Sequence, residues 1–113
     1  QGVCNKYIKF EQGFLQIPDP SECNEHSAGP IQLIVSGKSY FRRFYSIDLN
    51  ELKGLSRKYK KIHVNDGKWA FGKAKKTFLG ELEITIFDKI FGEEKFKFSR
   101  KEWKEIEKYL HSQ

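Results

Sequence analysis

The feature that most restricts how this chain can fold is an internal repeat. Residues 80–110 match 29–59 at an offset of 51 with no gap: Gly29 falls on Gly80, Ile31 on Leu82, Leu33 on Ile84, Val35 on Ile86, Tyr45 on Phe96 and Ile47 on Phe98. The match continues with Asp48 on Ser99, Glu51 on Glu102, Leu52 on Trp103, Lys53 on Lys104, Leu55 on Ile106 and Tyr59 on Leu110. Apolar residues alternate in the first part and recur at helical spacing in the second, so each copy reads as strands followed by a helix. A repeated supersecondary unit of this kind predicts two copies that bury one shared core.

A predicted hairpin precedes each matched segment. In the first, Ile8 and Phe10 alternate with Lys9 and Glu11, a turn falls at 11–13, and Leu15 and Ile17 alternate with Phe14 and Gln16. The second, placed 54 residues on, has Ile62 and Val64, a turn at Asn65-Asp66-Gly67, then Trp69 and Phe71. Asp-Gly between alternating apolar residues is a strong hairpin signal, because glycine accepts the positive φ the turn needs. Loops at 18–28 and 72–79 differ in length and absorb the change of offset, as surface loops tolerate. A third and a fourth strand follow in each copy, with turns expected at 36–39 and at Asp88 or Gly92, and the fourth strands end at Ile47 and Phe98.

Each copy is expected to close with a helix. Ser99 and Glu102 have the spacing of a capping box, with Asp48 and Glu51 as its equivalent; a cap of this kind contributes about 1 kcal/mol. Trp103, Ile106 and Leu110 share one helical face, as do Leu52, Leu55 and Tyr59. Gly54 weakens the first helix by about 1 kcal/mol. The expected fold class is therefore α+β: two tandem strand-strand-strand-strand-helix repeats, about 6–60 and 61–113, forming one domain over 1–113 with curved antiparallel sheets. A chain of 113 residues is the length of one domain and buries enough surface to need no covalent staple.

Charge is the next constraint. The net charge is +6, but 53–76 alone carries nine Lys or Arg against Asp66, leaving the remainder slightly acidic. A field concentrated in this way attracts polyanions. No stretch approaches the roughly 18 apolar residues of a membrane helix. Cys4 and Cys23 are too few for a disulfide framework and are expected as free thiols; with His26 they fall short of a closed zinc site. No cofactor is expected. Gln at residue 1 and the lack of any Met mark a processed chain or, the favoured reading, an excerpt of a longer protein. His26, His63 and His111 have no acid or thiol at catalytic spacing, and no nucleophile elbow, P-loop or dinucleotide fingerprint occurs, so no enzyme is expected.

The second copy, with its Asn65-Asp66-Gly67 hairpin, its 82–86 strand and its Phe96-Lys97-Phe98-Ser99-Arg100-Lys101-Glu102-Trp103 helix start, resembles the single-stranded-DNA-binding domain of the coactivator positive cofactor four. The tandem arrangement resembles the purine-rich-element-binding (PUR) repeat proteins, and both are similar to the plant Whirly proteins in fold. The resemblance spans nearly the whole chain and is one of pattern; Asn65 and Lys68 stand where PUR repeats carry polar and basic hairpin residues, and the first copy has Gln12 and Phe14 there. It implies a PUR/Whirly-like fold that binds single-stranded DNA or RNA on its sheet surface without catalysis.

Strand parity selects the binding residues. The faces turned from the core are expected to carry Tyr7, Lys9, Phe14, Gln16, Gln32, Ile34, Arg42, Phe44 and Ser46 in the first copy, and Lys61, His63, Lys68, Ala70, Glu83, Thr85, Phe87, Lys95 and Lys97 in the second. From these, Lys9, Arg42, Lys61, Lys68, Lys95 and Lys97 are candidates for phosphate and Phe14, Phe44 and Phe87 for bases, joined by a predicted Lys-rich loop of Lys73, Lys75 and Lys76. Aromatic faces stack bases while Lys and Arg neutralise phosphates. The competing reading packs Phe14, Phe44 and Phe87 between the repeats and leaves the lysines merely solvated. Arg57, Lys58, Lys60 and Lys61 read as the basic end of the first helix, or as a nuclear localisation patch. The expected partner is single-stranded nucleic acid, in the nucleus or cytoplasm and with no membrane. A protein-protein interaction or homodimerisation module is the alternative, and a secreted basic factor with a Cys4–Cys23 disulfide the third reading.

Overall fold

The computed structural model describes residues 5–19, 30–36 and 42–111. Cys4, Cys23, His26, most of the 18–28 loop and the turn after Ser36 lie outside them, so the thiol, disulfide and zinc readings fall there too. Strands β1 (Asn5–Phe10), β2 (Gly13–Pro18), β3 (Ile31–Ser36) and β4 (Arg42–Ile47) form one antiparallel meander in chain order. Strands β5 (Lys60–His63), β6 (Ala70–Lys76), β7 (Leu82–Asp88) and β8 (Gly92–Phe98) form a second, and the helix α1 (Arg100–His111) follows. The fold class is α+β: among the described residues there are two four-stranded antiparallel sheets and one helix, near the C-terminal end.

Alternation builds one core from both sheets. Ile8, Leu15, Leu33 and Tyr45 are cross-strand neighbours on the inner face of the first sheet, and Ala74, Ile84 and Phe96 on that of the second. All seven are buried. Phe10 from β1 stacks at a tilt on Phe98, centroids 4.4 Å apart, and meets Phe96 edge-on at 6.2 Å. The inner faces therefore pack on each other and the outer faces look away in opposite directions. Trp103, Ile106 and Leu110 of α1 complete the core; each large apolar side chain buried in this way contributes about 1.5–3 kcal/mol.

Register also defines which positions of the two sheets correspond. Gly13 pairs with Val35 and Gly72 with Ile86, so the two glycines occupy the same site of the repeated unit. Both are there because neighbours approach closely. A Cβ on Gly13 would lie 2.0 Å from the Ile34 carbonyl oxygen, and one on Gly72 2.7 Å from Val64 Cγ2 and 2.8 Å from Ile62 Cγ1.

A polar seam ties the sheets together beside the core. Tyr45 Oη on β4 donates to Asp88 Oδ2 at 2.7 Å, and Arg43 donates to Tyr45 Oη at 3.1 Å and to Glu94 Oε1 at 2.5 Å. Burial, reinforced by the bond to the Asp88 carboxylate, pushes the Tyr45 hydroxyl up to about 12. Burial works against the Asp88 charge, but bonds from Tyr45 and from the Ile90 and Phe91 amides outweigh it and hold that carboxyl below its ordinary range. For Arg43, burial is likewise outweighed by Glu94 and Tyr45, and its affinity for the proton rises.

Two sequence expectations are corrected here. The first helix does not form: from Asp48 the chain makes only the 3₁₀ turn Leu49–Leu52, after which Lys53 is extended and Gly54 sits at φ +69°. Asp48 Oδ1 caps the Asn50 amide at 2.9 Å, but Glu51 lies 2.7 Å from His63 Nδ1 instead of returning to Asp48, so the box is not closed. With Asn50 and Gly54 both poor helix formers, a compact turn that buries Leu49, Leu52 and Leu55 prevails. At α1 the box is complete, with Glu102 N donating to Ser99 Oγ at 3.1 Å and Ser99 N to Glu102 Oε1 at 2.7 Å. Arg57 and Lys58 thus precede β5, and Lys60 and Lys61 belong to it, none of them at a helix end.

The second correction concerns β6. The turn before it spans 64–69, wider than Asn65-Asp66-Gly67, because Asn65 docks on the edge of β4: its amide donates to Ser46 O at 2.9 Å and its Oδ1 accepts from Ser46 N at 2.8 Å. Asn65 does this at φ +54°, a conformation asparagine tolerates. A shift of one residue exchanges the two faces of a strand. Ala70, Gly72 and Ala74 point inward, while Trp69 and Phe71, expected inside, are exposed. Lys73, Lys75 and Lys76, expected in a loop, are in the strand, which directs Lys73 and Lys75 outward. Lys76 turns to the other side, into a cleft with Leu52, Leu55, Trp103 and Glu107.

Candidate nucleic-acid interface

Reading side chains across each sheet gives two outer faces of different chemistry. On the first, Lys9, Phe14, Ile34 and Phe44 form one cross-strand row and Tyr7, Gln16, Gln32 and Ser46 the next, with Arg42 beside Ser36. Phe44 is 55% exposed and Phe14 41%, so neither packs between the repeats. On the second sheet the rows are Lys61, Lys73, Thr85 and Lys95; Lys75, Glu83 and Lys97; and His63, Phe71, Phe87 and Glu93. Five lysines on one face meet two carboxylates, Glu83 and Glu93.

One aromatic side chain organises the basic face. Tyr59, just before β5, lies over β6 with Lys73 Nζ 4.1 Å and Lys75 Nζ 4.4 Å from its ring centroid. Its hydroxyl donates to Glu83 Oε2, and Lys75 Nζ is 4.0 Å from the same oxygen. Glu83 is buried; a carboxylate removed from water is costly unless paired and hydrogen-bonded, and here Tyr59 and Lys75 supply both. Lys73 Nζ also lies 5.6 Å from the Phe87 centroid, and Lys89 Nζ 5.5 Å from that of Phe71. Cations over ring faces gain about 0.5–1 kcal/mol at exposed sites, so the rings and lysines of this face position one another.

The structure brings together six of the residues selected from sequence: Lys61, Lys73, Lys75, Phe87, Lys95 and Lys97 share the outer face of the second sheet. Lys9, Phe14, Arg42 and Phe44 lie on the opposite side of the molecule. Lys68 is in the 64–69 turn, its amide donating to Asp66 Oδ1 at 2.9 Å, and Lys76 is on the core side. Tyr59 escaped the sequence reading because it was assigned to a helix face. A signal for it existed: Tyr7-Ile8-Lys9 and Tyr59-Lys60-Lys61 align at an offset of 52, the offset that the strand register requires in place of 54.

No protein-family profile, curated protein or solved structure matches this chain. What fold and site define is an α+β protein of two antiparallel meanders that presents one lysine-rich, aromatic-bearing sheet face.

Proposed function

We propose that this protein binds single-stranded nucleic acid, DNA or RNA, without catalysis, through the outer face of its second sheet. The observation that carries this reading is the grouping of Lys61, Lys73, Lys75, Lys95 and Lys97 with Tyr59, Phe71 and Phe87 on one sheet surface. Lysines track a phosphate backbone and rings take bases, the combination that single-strand surfaces use. An open sheet face suits a strand with splayed bases better than a duplex, whose bases are turned inward. Kinship with the PUR, positive-cofactor-four and Whirly fold group belongs to the same proposal, supported by the duplicated four-strand unit and the closing helix; the 3₁₀ turn in place of the first helix departs from it. A nuclear or cytoplasmic setting accompanies this reading.

Titration of a labelled single strand at several salt concentrations tests it. With five phosphates neutralised, log K against log salt should fall with a slope of about −3.5, and a duplex of the same sequence should bind more weakly. Equal, micromolar or weaker binding to single and double strands would overturn the proposal.

A protein-interaction surface is the second reading, favoured by the turn ends of the second sheet, where Trp69, Phe78, Leu79, Ile90 and Phe91 are all exposed. A mass that rises with concentration in light scattering, indifferent to added nucleic acid, would support it over the first.

A further inference from the structure

We propose that Tyr59 is a preformed stacking seat for one base of the bound strand, with the Thr85 hydroxyl contributing to the phosphate beside it. The inference rests on the single-strand reading of this face and deepens it. Lys73 and Lys75 are two residues apart on β6 and point to the same side of the sheet, and both ammonium groups lie against the Tyr59 ring, 4.1 and 4.4 Å from its centroid. The hydroxyl is tied to Glu83, itself buried in the sheet. Two cations against the ring and an anchored hydroxyl hold it in place, while the residue stays 39% exposed and so open to a ligand. A ring held in its binding orientation before the ligand arrives need not be ordered on binding, which is where preorganisation gains affinity.

The equivalent position in the first sheet shows that the arrangement is particular to this face. Tyr7 corresponds to Tyr59, but Gln16 and Gln32 stand where Lys75 and Glu83 are. Among the described residues no cation lies against the Tyr7 ring and no carboxylate holds its hydroxyl.

An independent observation places the phosphate. Thr85, the neighbour of Lys73 and Lys95 in the adjacent row, is fully buried, and its Oγ1 has no hydrogen-bond partner among the described residues. A buried hydroxyl without a partner is destabilising. A phosphate oxygen drawn between the two lysines would accept from it once the side chains over Thr85 move aside.

The test is anisotropy titration of a labelled single strand and of an abasic strand of equal length, with wild type, Tyr59→Leu, Tyr59→Phe and Thr85→Val. For Tyr59→Leu, affinity for the base-bearing strand should fall about 5- to 150-fold, the range of one lost stacked base, with the salt slope and the affinity for the abasic strand unchanged. Tyr59→Phe keeps the ring and should stay within about threefold, while Thr85→Val should weaken both strands alike by the loss of one hydrogen bond to a charged group, about 10- to 150-fold. Should Tyr59→Leu fail to fold, 2-aminopurine fluorescence in a strand bound to wild type gives the second readout: quenching on binding is expected, and its absence overturns the seat. If wild type binds the strand and Tyr59→Leu binds it equally well, the seat is wrong and the basic face stands. If wild type binds no single strand, the functional reading itself has failed.

Discussion

The two outer faces occupy the same place in a duplicated unit and carry opposite chemistry. By strand register, Phe14 corresponds to Lys73, Gln16 to Lys75, Gln32 to Glu83, Ile34 to Thr85, Phe44 to Lys95 and Ser46 to Lys97. The inner apolar positions of β3 and β7 and of β4 and β8 have not parted in this way: Leu33 and Ile84, Val35 and Ile86, Tyr45 and Phe96 remain large and buried in both. Packing constrains the inner residues, because a core at crystal-like density registers the gain or loss of a methylene, whereas an outer residue on an antiparallel sheet meets water and is free to change. One sheet can thus hold binding chemistry while its twin supplies core to support it.

The glycines probe the scaffold common to both faces and give the largest expected effect on stability. Gly72→Ala drives a methyl into the side chains of Val64 and Ile62, which can rearrange, and should cost about 1–3 kcal/mol, the range for overpacking. Gly13→Ala drives it into a backbone carbonyl, which cannot move without β3, and should exceed about 3 kcal/mol. Urea unfolding of the two variants decides; equal losses would mean that the β3 backbone beside Gly13 yields as readily as the side chains beside Gly72.

Neutralising the faces separately comes next. Lys61, Lys95 and Lys97 changed together to Gln should reduce single-strand affinity on the order of 100-fold at 0.1 M salt and flatten the log-log slope by about 2. Changing Lys9 and Arg42 to Gln on the opposite face should leave both within about twofold. A larger effect from the second pair would transfer the binding surface to the first sheet.

The seam that keeps the faces apart gives a pH-dependent prediction. The Tyr45 hydroxyl titrates in the fold at about 12, above its ordinary value near 10, so the fold favours its protonated form. That contribution is complete below about pH 10 and disappears as pH rises from 10 to 12. Asp88 behaves in the opposite sense: its carboxyl is held low, so its contribution is complete above the ordinary carboxylate range and is lost as pH falls through the depressed value. Tyr45→Phe removes a hydrogen bond to a carboxylate and should cost about 1.5 kcal/mol at neutral pH. The difference in urea midpoint between wild type and Tyr45→Phe should then shrink between pH 10 and 12; a constant difference would show that the seam does not couple to this hydroxyl.

How much of this was legible in the sequence follows from which residues carry local signals. Leu82, Ile84 and Ile86, alternating and apolar, and Ser99 with Glu102 announce β7 and α1 without reference to anything distant. The inner face of β6 does not announce itself, because Ala70, Gly72 and Ala74 are small to fit close neighbours, while the conspicuous Trp69 and Phe71 are outside. Its parity is set by Asn65 bonding to Ser46 on another sheet, a contact no local pattern contains. The basic character of the second outer face was legible from Lys61, Lys95 and Lys97 by alternation alone. Its separation from Lys9, Phe14, Arg42 and Phe44 was not, since that depends on how the sheets pack, and Tyr59 was concealed by a helix that does not form.

That missing helix gives the smallest effect and the most direct comparison of the two copies. In α1 the Ser99 hydroxyl accepts from the Glu102 amide while the Glu102 carboxylate accepts from the Ser99 amide; Ser99→Ala should cost about 1 kcal/mol and lower helical signal in circular dichroism. Asp48 bonds only the Asn50 amide of a turn with no following helix to nucleate, and Asp48→Ala should cost no more than about 0.5 kcal/mol with no change in that signal. If Asp48→Ala were the more damaging, the 3₁₀ turn would be contributing more than its cap, and its three leucines, Leu49, Leu52 and Leu55, all buried against the core, would be where to look. A turn pinned by those leucines needs no cap to stay folded. The copy that lost its helix holds its place by burial, and the copy that kept it holds by burial and capping together.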